Sequence, residues 1–299
     1  MGIFSKTAKP GLKAAKPGLK AVGPVPSPAL EVTEDPVTQR FERPGSFREV
    51  LTASEMHLGT RAVQQDACYV TSATSFWDGE SHLNTIGIVC DGMGGLEHGA
   101  EASKMVIDQI LADIAAAGQV EDPASFFKNE LGKLDDLVVQ RFGANNAGTT
   151  LVLAVLSGSR LYWCSAGDSR LYLIRQDEIV QLTRDHNYFL LLKEQVENQD
   201  MTIEEAEQHP QKEALVSFLG MGGIEIFDIN NSPFQMVNGD VVLLCSDGLT
   251  KSLTADQIRD VIRQNYGQVD QTARLLPVVA FDTGGAKDNT SVVVIQYFE

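Results

Sequence analysis

Strand-length apolar runs, several of them flanked by turn residues, constrain this chain more than any other feature. Runs rich in Val, Ile, Leu and Tyr occupy 67–71, 85–90, 150–156, 161–165, 171–175, 241–245 and 291–297, each of a length suited to a strand. Ser157-Gly158-Ser159 and Gln176-Asp177 sit beside these runs where hairpin turns belong. Helical signals are fewer. The stretch 101–115 places Ala102, Met105, Val106, Ile110 and Ile114 on one helical face. Asp122-Pro123 opens a second helix with proline at its first position. Thr202 with Glu205, and Thr254 with Gln257, have the spacing of capping boxes, in which the two side chains satisfy free backbone N–H groups reciprocally. Paired hairpins with separated helices predict an α+β domain built on antiparallel sheets, not a doubly wound parallel one.

The first 45 residues follow another pattern. AKPGLKA stands at 8–14 and again at 15–21, and Pro and Gly inside each copy forbid a helical heptad. Four more prolines follow by Pro36. Residues 1–45 are therefore expected to form a disordered, basic, Pro/Lys-rich tail, and 46–299 the folded domain. The tail reads either as a solvated leader or as a docking arm for an acidic partner or membrane surface.

Charge narrows the function. The 299 residues carry 24 basic and 40 acidic side chains, a net charge of −16. Residues 1–30 hold five lysines and no carboxylate, so the domain is more acidic than the whole chain. Such a body repels phosphate backbones, which argues against nucleic acid as a partner, and it attracts divalent cations. Cys68, Cys90, Cys164 and Cys245 lie far apart with no metal-ligand or redox spacing, and read as small buried hydrophobes in a reducing compartment. No uncharged apolar run approaches the roughly 18–20 residues that span a bilayer. Met1-Gly2 suggests a myristoylation start, but Lys6 stands where that motif needs Ser or Thr. The expectation is a cytoplasmic monomer without a transmembrane segment.

Chemistry is signalled by aspartates just beyond apolar strands. IGIVC leads into Asp91-Gly92-Met93-Gly94-Gly95, and VVLLCS into Asp247-Gly248-Leu249. The run at 161–165 leads into Gly167-Asp168-Ser169-Arg170, and Asp288-Asn289 precedes the last strand. A strand fixes its terminal residue tightly, so four such ends can converge at one sheet edge. Adjacent glycines let the backbone approach a ligand and free a carbonyl for coordination. Hard oxygen ligands of this kind select Mg²⁺ or Mn²⁺ over zinc. Singly, each Asp-Gly is an ordinary turn; the weight lies in their number and order.

Gly59-Thr60-Arg61 through Gln65-Asp66, DGMGG, Gly148-Thr149-Thr150, GDSR, Leu182 through Asn187, SDGL and DNTSVVV form a series that resembles the metal-dependent serine/threonine protein phosphatases, the type 2C or PPM family, in its bacterial-type branch. The resemblance covers about residues 53–298. It implies a pair of packed antiparallel β-sheets flanked by helices on both sides. It implies hydrolysis of phosphoserine and phosphothreonine by water activated between two Mn²⁺ or Mg²⁺ ions. Its substrates would be phosphoproteins made by a serine/threonine kinase. By the family pattern Asp91 would bridge the two metals, with the Gly92 carbonyl as a further ligand, and Asp247 and Asp288 would complete the site. Asp66 would ligate or orient metal-bound water, and Asp168 would join Asp247 in holding a weaker third ion. Arg61 would grip the substrate phosphate, a role suited to its fixed fork of donors.

Three positions depart from that pattern. Gln65 stands where a glutamate is common, and would weaken the second metal. Met93 follows Asp91-Gly92 where animal members have a histidine. Pro277 falls inside an expected helix, where a kink or break is predicted. The charged segment from Tyr188 to Met221 matches the mobile flap of bacterial members, a surface helical hairpin or a substrate-selecting lid. His186 and His209 are assigned no catalytic role. Two competing readings are a pseudophosphatase or regulatory scaffold of the same fold, suggested by Gln65 alone, and a non-enzymatic partner-binding protein acting through its lysine tail.

Overall fold

The computed structural model describes residues 39–41 and 49–299, apart from 78–79, 95–97 and 286. In chain order the strands are β1 (Gln39–Phe41), β2 (Glu49–His57), β3 (Ala67–Trp77), β4 (Glu80–Cys90) and β5 (Gly92–Gly94). There follow α1 (His98–Ala117), β6 (Gln119–Val120), α2 (Pro123–Phe142), β7 (Ala147–Thr149), β8 (Leu151–Ser157) and β9 (Arg160–Ala166). Next come β10 (Arg170–Arg175), β11 (Glu178–Gln181), α3 (Tyr188–Glu197), α4 (Ile203–Glu207), β12 (Asp228–Ile229) and β13 (Phe234–Gln235). The chain closes with β14 (Val241–Cys245), α5 (Asp247–Thr250), α6 (Ala255–Gln264), α7 (Val269–Gly284) and β15 (Thr290–Phe298).

Two sheets result. One has the order β1-β2-β15-β14-β10-β11, antiparallel throughout. The other runs β12-β9-β8-β4-β3-β6, antiparallel except for the short parallel pairing of β6 with β3. Strand alternation sends one set of side chains between the sheets and the other outward. Val89, Val152, Ala154, Leu171, Val242, Leu244, Val293 and Ile295 fill the space between the sheets. Ile86, Ile88 and Leu153 face α1 and α2 through Val106, Ile110, Leu131 and Leu134. Leu243, Val292 and Val294 pack with Leu249, Ile258, Ala273 and Leu276 of α5, α6 and α7. The layers are therefore helix, sheet, sheet, helix, with three apolar cores.

Local signals are met where they were expected. Gly158 and Gln176 take positive φ of 61° and 54° in the two hairpin turns. Asp122 caps α2 by accepting from Ser125 N–H, with Pro123 at the first turn, and both capping boxes are complete. Two readings need revision. Gln39–Phe41, counted with the tail, pairs with β2 as an edge strand; the remainder of 1–48 lies outside the described residues. Of the kink or break foreseen at Pro277, the break does not occur: α7 runs on through the proline. Proline in a helix interior is unfavourable by about 3 kcal/mol. Ala273, Leu276, Pro277 and Ala280 are all buried on the face that α7 turns to the first sheet, and burial of Leu276 alone contributes about 1.5–3 kcal/mol. All four cysteines are free, three of them buried. Among the described residues no helix is long and apolar enough to cross a membrane.

Because Leu244 is fully buried between the sheets, Leu244→Ala should lower stability by about 2–5 kcal/mol. Exposed Val180 on edge strand β11 is the control, and Val180→Ala should change it by no more than about 0.5 kcal/mol. Urea unfolding midpoints of the two variants check this.

Candidate active site

The acidic residues picked out by their strand ends come together at one edge of the sandwich. Asp91 lies between β4 and β5, Asp168 in the β9–β10 turn, Asp247 at the start of α5 directly after β14, and Asp288 just before β15. Asp66 ends the loop that enters β3. Burial pushes the Asp91 carboxyl well above the usual range, and the charges of Asp66, Asp247, Asp168 and Asp288 push it further. Four carboxylates thus act together on that of Asp91.

Buried hydroxyls hold this assembly in place. Asp66 is 2% exposed, and its Oδ2 accepts from Ser246 Oγ at 2.7 Å and Ser291 Oγ at 2.8 Å. Burial raises its carboxyl to about 7, against the pull of those two hydroxyls and with the help of Asp247 and Asp288. Ser246 directly follows β14 and Ser291 is the second residue of β15, so one carboxylate oxygen ties the ends of neighbouring strands to the β3 entry loop. Thr150 does similar work for Asp91. Its Oγ1 accepts from Asp91 N–H at 2.9 Å, its N–H donates to Asp91 O at 2.9 Å, and its Oγ1 lies 2.7 Å from Ser169 Oγ.

Gly92 is buried, and a Cβ there would collide with the backbone oxygens of Gly99 and Gln65. Its own carbonyl packs against Gly99 in the first turn of α1. Asp168 follows Gly167, whose φ of 105° requires glycine. Burial raises the Asp168 carboxyl to about 7, aided by Asp247 and opposed by Lys251.

Two cations of the protein answer these acids. Arg61 Nη2 lies 2.9 Å from Asp288 Oδ2, with the arginine side chain 55% exposed at the rim. Lys251 Nζ pairs with Asp247 Oδ2. Among the described residues no three His, Cys, Asp or Glu side chains stand close enough to share one ion. The donor set nevertheless fits a divalent metal. Asp247 Oδ1 is buried with no hydrogen-bond partner, and the cluster holds more carboxylates than cations, all of them hard oxygen donors.

Several contributors were not read from the sequence. Lys251 follows Asp247 by one helical turn, a spacing the sequence offered. Asn289 Oδ1 accepts from Gln65 N–H at 2.8 Å, and its Nδ2 donates to Leu58 O at 2.9 Å, holding the Arg61 loop beside Asp288. Gln65 Nε2 donates to Gly94 O at 3.1 Å. A glutamate there would turn a carboxylate oxygen toward that carbonyl, so the amide serves the loop after Asp91. His186 is fully buried, and its Nδ1 accepts from Gly167 N–H at 3.1 Å, leaving Nε2 to face Asp228 at 3.5 Å. The ring thus ties the Gly167 turn toward Asp228. Burial works to raise Asp228, but the nearby His186 ring and the hydrogen bonds from Arg184 outweigh it and hold the carboxyl below the usual range.

The flap is rooted beside these acids at both ends. His186 N–H donates to Gly167 O, next to Asp168. Leu219 and Thr149 exchange two backbone hydrogen bonds, and Thr149 Oγ1 donates to Asp91 O at 3.0 Å. The roots also meet each other, with Val216 N–H on His186 O. Between them α3 and α4 form the excursion.

Comparison with known proteins places this geometry. The pattern of the protein phosphatase 2C family matches residues 54–277. A serine/threonine phosphatase, stp, from Listeria welshimeri is 32% identical over 217 residues, 70% of this chain and 83% of that protein. The serine/threonine phosphatase of S. agalactiae superposes with a TM-score of 0.69 at 25% identity, over 84% of this chain and all of that one. The catalytic domain of the serine/threonine phosphatase PstP, solved with 2 manganese ions, superposes with a TM-score of 0.65 at 25% identity, over 84% of this chain and 100% of that one. On fold, motif order and sequence, the chain belongs to the bacterial branch of the protein phosphatase 2C (PPM) family.

Proposed function

We propose that the chain is a metal-dependent serine/threonine protein phosphatase that removes phosphate from phosphoserine and phosphothreonine, its substrates being the products of a serine/threonine kinase. The observation that carries this reading is the gathering of Asp66, Asp168, Asp247 and Asp288 about the half-buried Asp91, with Arg61 and Lys251 paired to two of them. The manganese-bound relative supports it. On this reading Asp91, the Gly92 carbonyl, Asp247 and Asp288 hold two Mn²⁺ or Mg²⁺ ions, Asp66 ligates or orients at their side, and Asp168 with Asp247 holds a third. What such ions supply when bound is hydroxide near neutral pH and neutralisation of phosphoryl charge.

The chain's own residues do the rest. Ser246 and Ser291 both occupy Asp66 Oδ2, which fixes the carboxylate and leaves Oδ1 for the site. Arg61 meets the substrate. Its exposed pair with Asp288 is worth about 0–1 kcal/mol, whereas a charge-assisted bond to phosphate is worth about 1.5–3 kcal/mol, so the guanidinium moves to a phosphoryl group offered beside it. Met93 has no proton to give the leaving group.

Hydrolysis of an aryl phosphate and of a phosphothreonine peptide should vanish in excess chelator and return with Mn²⁺ or Mg²⁺; full activity in chelator would overturn the reading. Arg61→Ala should lower kcat/KM by about 10–150-fold while leaving Mn²⁺ affinity close to that of the parent chain. Steady-state kinetics with a Mn²⁺ titration measures both.

A further inference from the structure

One buried carboxylate outside the acidic cluster is bound more fully than any in it. Asp135 of α2 is 2% exposed. Its Oδ1 accepts from the backbone N–H groups of Gly220 at 2.7 Å, Met221 at 3.0 Å and Gly222 at 3.4 Å, and its Oδ2 from Gly223 at 2.6 Å. A run of N–H groups turned inward on one anion forms a concave nest, a strong and geometrically demanding way to hold backbone. Gly220, Gly222 and Gly223 take φ of 113°, 87° and 124°, a backbone that L side chains rarely adopt. At Gly220 a Cβ would also lie 2.5 Å from Ala147 O.

The residues so held are the C-terminal root of the flap. Leu219, immediately before the nest, exchanges two hydrogen bonds with Thr149, whose hydroxyl donates to the Asp91 carbonyl. Gly220 O accepts from Asn145 N–H, and Asn145 Nδ2 reaches Met221 O, so the β7 side is bound to the root again. Asp135 thus binds the flap root directly and stands three hydrogen-bonded steps from Asp91, through Gly220, the Leu219–Thr149 pair and the Thr149 hydroxyl. It touches neither substrate nor any of the candidate ligands.

We infer that Asp135 is a positioning residue that sets where the flap stands over the acidic site, and so determines selection of phosphoprotein over small phosphate esters. A small ester needs only the carboxylate cluster and Arg61. The chain on either side of a phosphoserine or phosphothreonine must lie along surfaces outside that cluster, and the flap, rooted beside Asp91 and Asp168, is the excursion placed to meet it. Loss of the carboxylate removes a nest, not a ligand, and its effect falls on the larger substrate. This inference rests on the phosphatase reading.

Asp135→Asn keeps the size of the side chain but turns an NH₂ group toward N–H donors. In the full chain with Mn²⁺, it should raise KM for a phosphothreonine peptide by about tenfold or more, with KM for an aryl phosphate within about twofold and kcat on that ester retained. Amide exchange at 219–223 should quicken by about 10–100-fold, while α1 and β8 keep their protection. Gly223→Ala provides a second route should the first variant fold poorly. A Cβ there has no atom within 4 Å, so it disturbs the root through φ alone, and the same split between substrates is expected. Equal losses on both substrates, or unchanged exchange at 219–223 in both variants, would overturn the inference. Were the parent chain inactive on both substrates, the phosphatase reading would fall and the specificity inference with it; unchanged exchange in the variants would overturn the anchoring itself.

Discussion

Repulsion among carboxylates gathered at one sheet edge is the constraint that the remaining structure has to satisfy. Burial alone disfavours a charged Asp91, and four neighbouring acids add to that. A flexible chain would relax such a cluster by moving its members apart. Here they are fixed to strand ends by short bonds: Ser246 and Ser291 to Asp66, Thr150 to Asp91. The three apolar cores supply the stiffness behind those bonds, since Leu244, Val293 and Ile295 sit in the core between the sheets and lead within a few residues into Asp247 or away from Asp288. Stability is concentrated in the sandwich and unfavourable electrostatics at its edge, a division expected of a site that must attract cations.

Much of this was legible in the sequence because the informative residues are local. Seven apolar runs became strands, and the turns at Gly158 and Gln176 fell where glycine or a tolerated positive φ was needed. Strand ends exposed Asp91, Asp168, Asp247 and Asp288 for the same reason. β2 was not legible. EVLTASEMH mixes polar and apolar residues without clean alternation, and its place in the first sheet depends on pairing with β15, more than 230 residues away. Pro277 misled because helix propensity was weighed without the burial of the face it lies on.

Polar residues that act through distant partners were the hardest to read. Asn289 is recognisable as a neighbour of Asp288, but its bonds to Gln65 and Leu58 exist only after β2 and β15 pair. Gln65 looked like a defect beside the expected glutamate. In three dimensions its amide donates where a carboxylate has nothing to offer. Asp135, one of three acids in 130–136, gives no hint in sequence that four glycine-rich amides some 85 residues later close around it.

The meeting of the two flap roots has a consequence for how such chains diversify. Val216 N–H on His186 O, with the bridge between Asn187 and Leu215, closes the excursion at its neck. The ends of a closed neck keep their separation whatever lies between them, and the entropy of closure grows only slowly with length. Insertions, deletions or wholesale exchange of 188–214 therefore reach the strands through that neck and through the 181–185 segment that lines a pocket with α3. On the specificity inference above, the segment would serve as a cassette: one frame could acquire new clients by replacing about thirty residues, with few positions outside the neck and 181–185 obliged to change alongside.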